Sequence, residues 1–316
     1  MAKFIESKSK FRKQMIMLAI WARKITLPGF DKTPLYDVSR FFWNGIVNGA
    51  ISTRASAIAF SFFLAIFPAV IFFFTLIPYI PISNFQVELL KMLENIIPYN
   101  AYISVQNTLE DIATNKRGSL LSIGFIAALF FSTNGIAAMI TAFNATVHTF
   151  ESRTWIAQRL ISVLLVIILT ILLTIAVSLI IFSQMVLNYL VILDVLENNI
   201  TYYLLLFGQW IIIIALFFFT ISFLYYLAPT KKSEWRFISA GSTLATLLII
   251  ITSIGFSFYI NHFGRYNKLY GSIGTLIVVL LWLYFNAFVL LIGFELNASI
   301  SNAHLKKKKP LLLPEK

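Results

Sequence analysis

Apolar residues in this chain come in long, nearly unbroken blocks, not at the spaced positions of a water-soluble core. Six blocks run from Ala55 to Tyr79, Leu120 to Val147, Leu160 to Leu190, Tyr202 to Leu227, Phe237 to Ile260 and Gly271 to Ser299. Each is long enough to cross the ~30 Å hydrocarbon core of a bilayer as a helix, and a backbone in lipid must satisfy its own N–H and C=O groups. The pattern predicts an all-α membrane protein with six transmembrane helices. Pro68 lies in the middle of the first and cannot donate to the carbonyl of Leu64, so a kink is expected there.

Two further stretches are amphipathic. Before the first span, Leu35, Val38, Phe42 and Ile46 recur on one helical face, with Asp37, Arg40, Asn44 and Asn48 on another. This predicts a cytoplasmic interfacial helix lying along the leaflet. Between the first two spans, residues 81–118 are too many for a plain connection. They carry Leu89, Leu93, Ile96 and Ile97, then Val105, Leu109 and Ile112, a pattern that fits a small extracytoplasmic helical cap. Such a cap either only covers the bundle or offers a contact surface to an envelope protein. The organisation expected is a basic cytoplasmic N-terminal segment (1–54), the six-helix transmembrane domain (55–302) and a basic cytoplasmic tail (303–316). The apolar run Met15 to Ala22 is short, is followed by Arg23 and Lys24 and lacks a small-residue cleavage pattern, so it reads as lying on the membrane and not as a signal peptide.

Charge orients the spans. Of the 25 Lys and Arg residues, 20 fall on the side shared by the two termini, and five (Lys91, Lys116, Arg117, Arg265 and Lys268) on the other. By the positive-inside rule both termini are cytoplasmic. The formal charge of +12 is therefore spread over juxtamembrane positions, where anionic lipid head groups attract it, and nucleic acid is not the expected partner. Lys306 to Lys309 in the tail follow the same logic. With 59% hydrophobic and 12% charged residues the composition agrees. The sequence leaves the oligomeric state open.

Chemistry is sparse. There is no cysteine, hence no thiolate or cysteine-held metal, and the three histidines His148, His262 and His304 stand in three separate loops or tails. Neither a metal-ligand spacing nor a GxSxG or HExxH motif occurs, so the chain is not expected to be an enzyme or to hold a cofactor. Ionisable residues inside spans are costly and point to function. Glu295 is the one such residue, near the cytoplasmic end of the sixth span, at about the depth where Arg54 opens the first. The two are a candidate ion pair, either locking helices together or serving as a coupling site.

In the second span Asn134, Ala138, Thr141 and Ala145 form a small, polar stripe, with Gly135 beside it and Asn144 following. In the sixth, Trp282, Asn286, Gly293 and Asn297 share a face. Stripes of this kind either let helices approach and hydrogen-bond or wall a hydrated pathway. Asn134, Thr141, Asn144, Asn286, Glu295 and Asn297 are the candidate polar seam, and Pro68, Gly135, Gly271 and Gly293 the candidate kink and packing positions. In the loop before the sixth span, Tyr259, His262, Arg265, Lys268 and Tyr270 form either an interfacial aromatic belt or a contact for an anionic head group or solute.

The segment YGSIGTLIVVLLWLYFNAFVLLIGFELNA from Tyr270 resembles the closing signature of the YihY/BrkB family of bacterial inner-membrane proteins. ASAIAFSFFLAIFP from Ala55, AFNATVHTFESR from Ala142 and YYLAPTKKSEWRFISAG from Tyr225 resemble other parts of it, so the resemblance covers about residues 40–302. It implies a six-helix protein of the bacterial inner membrane. It places Asn144, Tyr270, Gly271, Ser272, Trp282, Gly293 and Glu295 on motif positions. Members have carried the label ribonuclease BN, which no residue cluster here supports. Some are associated with serum resistance or envelope lipid export. The expectation is therefore a transporter or translocation component for a lipid, amphiphile or anionic solute, with a membrane scaffold contacting envelope proteins as the alternative.

Overall fold

A computed structural model describes residues 17, 20–80, 110–111, 115–147, 153–192, 200–230, 238–262 and 272–308, and among them there are helices and no strands. In chain order the helices are α1 (Leu35–Asn48), α2 (Ile51–Leu76, continued by a 3-10 turn Ile77–Tyr79), α3 (Gly118–Val147), α4 (Trp155–Ile192), α5 (Ile200–Leu227), α6 (Ala240–His262) and α7 (Ser272–Lys308). The last six are long and apolar enough to cross a membrane, and the chain is a multi-pass membrane protein.

Each spanning helix packs on its neighbour in sequence, and α7 closes the ring by packing on both α2 and α3. The end of the bundle that carries α1 and the last turns of α7 is called the near end below. Three helix boundaries differ most from those expected, the first being α4, which begins at Trp155 and not at Leu160. Helix α2 begins at Ile51, so Arg54 lies inside it. Helix α7 runs on to Lys308 through the first half of the segment expected as tail, because Ile300 and Ala303 have a surface to pack on. At ~1.5 Å per residue that is a rod of about 55 Å, well beyond the hydrocarbon thickness. Pro68 sits inside α2 without interrupting it. The expected cap lies almost wholly outside the described residues; at its end Asp111 pairs with Arg117 and accepts a hydrogen bond from Asn115. Together these two bonds hold the Asp111 carboxyl below the usual carboxylate range.

The surface that extends α7 is α1. Val38 is buried in a small cluster with Phe30, Ile300 and Ala303, and Leu35 packs against it, while Ile46 reaches the main core. The expected polar face, Asp37, Arg40, Asn44 and Asn48, is exposed, but so are Trp43 and Val47. A sharp reversal at Gly49 and Ala50, the latter left-handed with φ 48°, turns the chain from α1 into α2.

Core packing is uneven along the bundle. The main cluster, which includes Ile58, Ile140, Phe143, Leu224, Tyr225, Leu291 and Phe294, occupies the near half. Toward the other end burial thins: α6 has no buried residue from Leu247 to Ile260, and between Val166 and Ser183 α4 buries only Ala176. Across the near half α6 and α7 touch at backbone distance. A Cβ on Gly293 would stand 2.6 Å from the Gly241 carbonyl, the Ala245 methyl and the Tyr225 hydroxyl, and one on Gly241 would overlap the Gly293 carbonyl. Replacing Gly293 with Val should therefore force the helices apart at a cost of about 1–3 kcal/mol, read as a lower melting midpoint of the purified protein. Gly255→Ala, with nothing within 4 Å of its Cβ, is the control.

Candidate functional site

Among the described residues the near half holds nearly every polar contact between helices. At its centre three aromatic rings from three helices meet. Phe143 of α3 stacks on Phe294 of α7 at 4.2 Å, and Tyr225 of α5 stands edge-on to both at 5.6 and 5.5 Å. The Tyr225 hydroxyl, which must find a partner when buried, donates to the Leu290 carbonyl at 2.6 Å.

Around this centre lie three polar ties. In the first, Arg54 on α2 donates from Nη1 to the Ala142 carbonyl at 2.7 Å and the Thr146 hydroxyl at 2.5 Å, both on α3, while its buried Nε lacks a partner. Glu295 on α7, 6% exposed, lies close enough to feel the Arg54 charge. Glu295 also lies against Gly45 of α1, where a Cβ would overlap its carboxyl, so only glycine lets α1 settle over it. Arg54 and Glu295 thus share one neighbourhood, with Thr146 hydrogen-bonded to Arg54 and α1 as the lid. Opposite charges so placed offset part of each other's burial cost.

In the second tie, Asn144 near the end of α3 donates from Nδ2 to the Thr230 hydroxyl at 2.8 Å and accepts from the Thr230 backbone N–H at 2.9 Å. Beside it Arg153 donates to the carbonyls of Leu227, Ala228 and Pro229 at 3.3, 2.9 and 2.6 Å. A helix ends with unpaired carbonyls and a partial negative charge, which suits a guanidinium. Burial lowers the Arg153 pKa, yet an arginine keeps its proton. In the third tie, Asn297 of α7 accepts from the Gly241 N–H at 2.7 Å and donates to the Ser239 hydroxyl at 2.8 Å, at the start of α6.

The remaining candidates separate. Asn134 accepts from Arg159 of α4 at 2.6 Å. Thr141 and Asn286 bond back to their own helices, at Ala137 and Trp282. Gly135 gives α3 room against the Phe62 ring. The polar residues expected as one seam are thus spent on several separate partners. Tyr259 is partly exposed, His262 ends α6, and Arg265, Lys268, Tyr270 and Gly271 lie outside the described residues. Sequence reasoning missed Gly45, Arg153, Tyr225, Thr230 and Arg159. The third apolar block of the sequence begins at Leu160, one residue after Arg159, yet the span starts at Trp155 and encloses it. Among the described residues no three His, Asp or Glu side chains stand close enough to hold a metal ion.

Comparison with known proteins gives consistent matches. The family model described as Virulence factor BrkB matches residues 42–313. The "ribonuclease-like protein YfkH" of Bacillus subtilis is 33% identical over 258 residues, covering 82% of this chain and 92% of that protein. A "UPF0761 membrane protein" of Tolumonas auensis is 25% identical, covering 87% of this chain and 90% of its own length. Another of Xanthomonas axonopodis pv. citri is 26% identical over 86% of this chain and 63% of that protein. No solved structure matches.

Asn144→Leu should leave the Thr230 N–H and hydroxyl without their partner and cost about 1 kcal/mol. Asn144→Asp, which keeps the acceptor, should lose less. Thermal unfolding in detergent ranks the two.

Proposed function

Because the chain belongs to the BrkB family of membrane proteins, we propose that it is a translocation component for a lipid, another amphiphile or an anionic solute, held here in its cytoplasmically sealed state. The observation that carries this reading is the unequal packing of the two halves. The near end, cytoplasmic by its excess of Lys and Arg, is closed by an aromatic triad and three polar ties. All of these are non-covalent and can open without breaking a helix. The second tie links α3 to the end of α5, helices that are not neighbours in the ring.

At the other end the described helix faces are loosely packed and apolar. Phe182, Phe207, Trp210 and Phe258 are exposed there, and Gln209 is buried with its Oε1 unpartnered. Apolar helix faces together with a buried, unpartnered amide oxygen suit cargo that carries hydrocarbon and a polar group. An inner-membrane location with both termini in the cytoplasm belongs to the same proposal. Among the described residues no His, Asp and Glu cluster stands ready to hold a metal that would activate water, and the ribonuclease-like name of the Bacillus relative is not carried over to this chain.

The test is to pin the second tie. The chain has no cysteine, so Asn144→Cys with Thr230→Cys can be bridged uniquely by a short thiol cross-linker with a cleavable arm. In proteoliposomes carrying a fluorescent phospholipid, bridging should stop transbilayer movement and cleavage should restore it. Movement that persists in fully bridged protein sinks this gate. A wild-type protein that moves no phospholipid or anionic solute at all favours the scaffold.

A further inference from the structure

Among the described residues, Arg159 is a charge within a span that the three ties leave unused. It sits in the second turn of α4, inside the third span. Its guanidinium turns toward α3, donating to Asn134 Oδ1 at 2.6 Å and lying 4.9 Å over the Phe130 ring. Asn134 is 13 residues from the near end of α3, a distance of about 20 Å along the helix. A long cationic side chain this close to the interface ordinarily snorkels outward to the head groups. This one points inward.

Its partners do not neutralise it. Asn134 is a neutral amide, Phe130 offers only a ring face, and among the described residues no carboxylate lies within ion-pair distance of it. A guanidinium has five N–H donors in a planar fork, of which the bond to Asn134 uses one. The site is also open on one side. Arg159 is half-buried and Phe130 is 51% exposed. Ile123, Ile126 and Phe130 form an exposed stripe on α3 leading up to the guanidinium, with Ile156 and Leu160 exposed on α4. An anchored positive charge at the head of an apolar stripe is complementary to an anion that carries a hydrocarbon tail.

We propose that Arg159, oriented by Asn134 and Phe130, binds the phosphate of an anionic phospholipid lying in the groove between α3 and α4, with an acyl chain along Ile123, Ile126 and Phe130. This deepens the translocation reading, on which it rests for what becomes of the lipid, and it supplies the cargo's chemical class. The planar fork favours a phosphate oxygen pair over a zwitterionic head group, whose own ammonium would approach the same cation.

The experiment uses the full chain, delipidated in detergent and offered equal amounts of phosphatidylglycerol and phosphatidylcholine with identical acyl chains, read by native mass spectrometry. Wild type should retain one phosphatidylglycerol per chain with a preference of about tenfold, a factor typical of one charge-assisted contact. Arg159→Gln should abolish the preference. Arg159→Lys, which keeps the charge and loses the fork, should retain part of it and controls for misfolding, as does an unchanged melting midpoint. Equal retention of both lipids by wild type, or full preference in Arg159→Gln, overturns the proposal. Displacement of the lipid by millimolar inorganic phosphate would assign the site to a free anion and overturn the amphiphile source. Selective binding without transbilayer movement would leave the site standing and remove the translocation reading. Movement together with unaltered binding in Arg159→Gln would do the reverse.

Discussion

Between helices in lipid there is no apolar surface to hide from water, so association depends on close backbone approach and on polar bonds from one helix to the next. In this chain both concentrate on α7. Its backbone meets α6 at Gly241 and Gly293, its Asn297 binds the first turn of α6, its Leu290 carbonyl receives Tyr225, and its Glu295 faces Arg54, Thr146 and α1. Remove this helix and the ring loses most of its closure, because α7 packs on α6, α2 and α3 together, and among the described residues only the contacts of Phe143 and Asn144 with Tyr225 and Thr230 join α3 to the end of α5 without it.

The placement of these contacts explains why one half of the bundle is dense and the other sparse. Every polar bond between helices at the near end involves a residue close to a helix terminus or a loop, where water can reach the partners while the bond is broken. Asn144 with Thr230 and Arg153 with the end of α5 are of this kind. A contact placed there separates at lower cost than one at mid-membrane, where a parted pair would face hydrocarbon. The aromatic triad beneath carries a single hydroxyl bond and otherwise depends on ring packing, which can slide.

The spans were legible because twenty-residue apolar blocks have few other fates, and Glu295, Asn297 and Gly293 stood out as exceptions within one. What pairs with them did not. Asn144 and Thr230 are 86 residues apart, and nothing in AFNATVHTFESR names YYLAPTKKSEWRF as its counterpart until the ring brings the two together. Gly45 reads as an unremarkable glycine in an amphipathic helix; its meaning lies in the carboxyl that it admits. Arg159 stands one residue outside the apolar block that begins at Leu160, and only the position of Asn134 shows that its side chain turns toward α3. The seam expected along α3 and α7 divided because each of its amides found a different neighbour, a choice made by three-dimensional packing.

Helix α7 is continuous over 37 residues and pinned where its backbone meets α6. Gly293, where the two backbones come closest, divides its length unequally. About 22 Å of rod lies on the α1 side and about 32 Å on the other. A tilt of about 10° would swing the two tips roughly 4 Å and 5 Å in opposite directions, so drawing in one mouth of the bundle spreads the other.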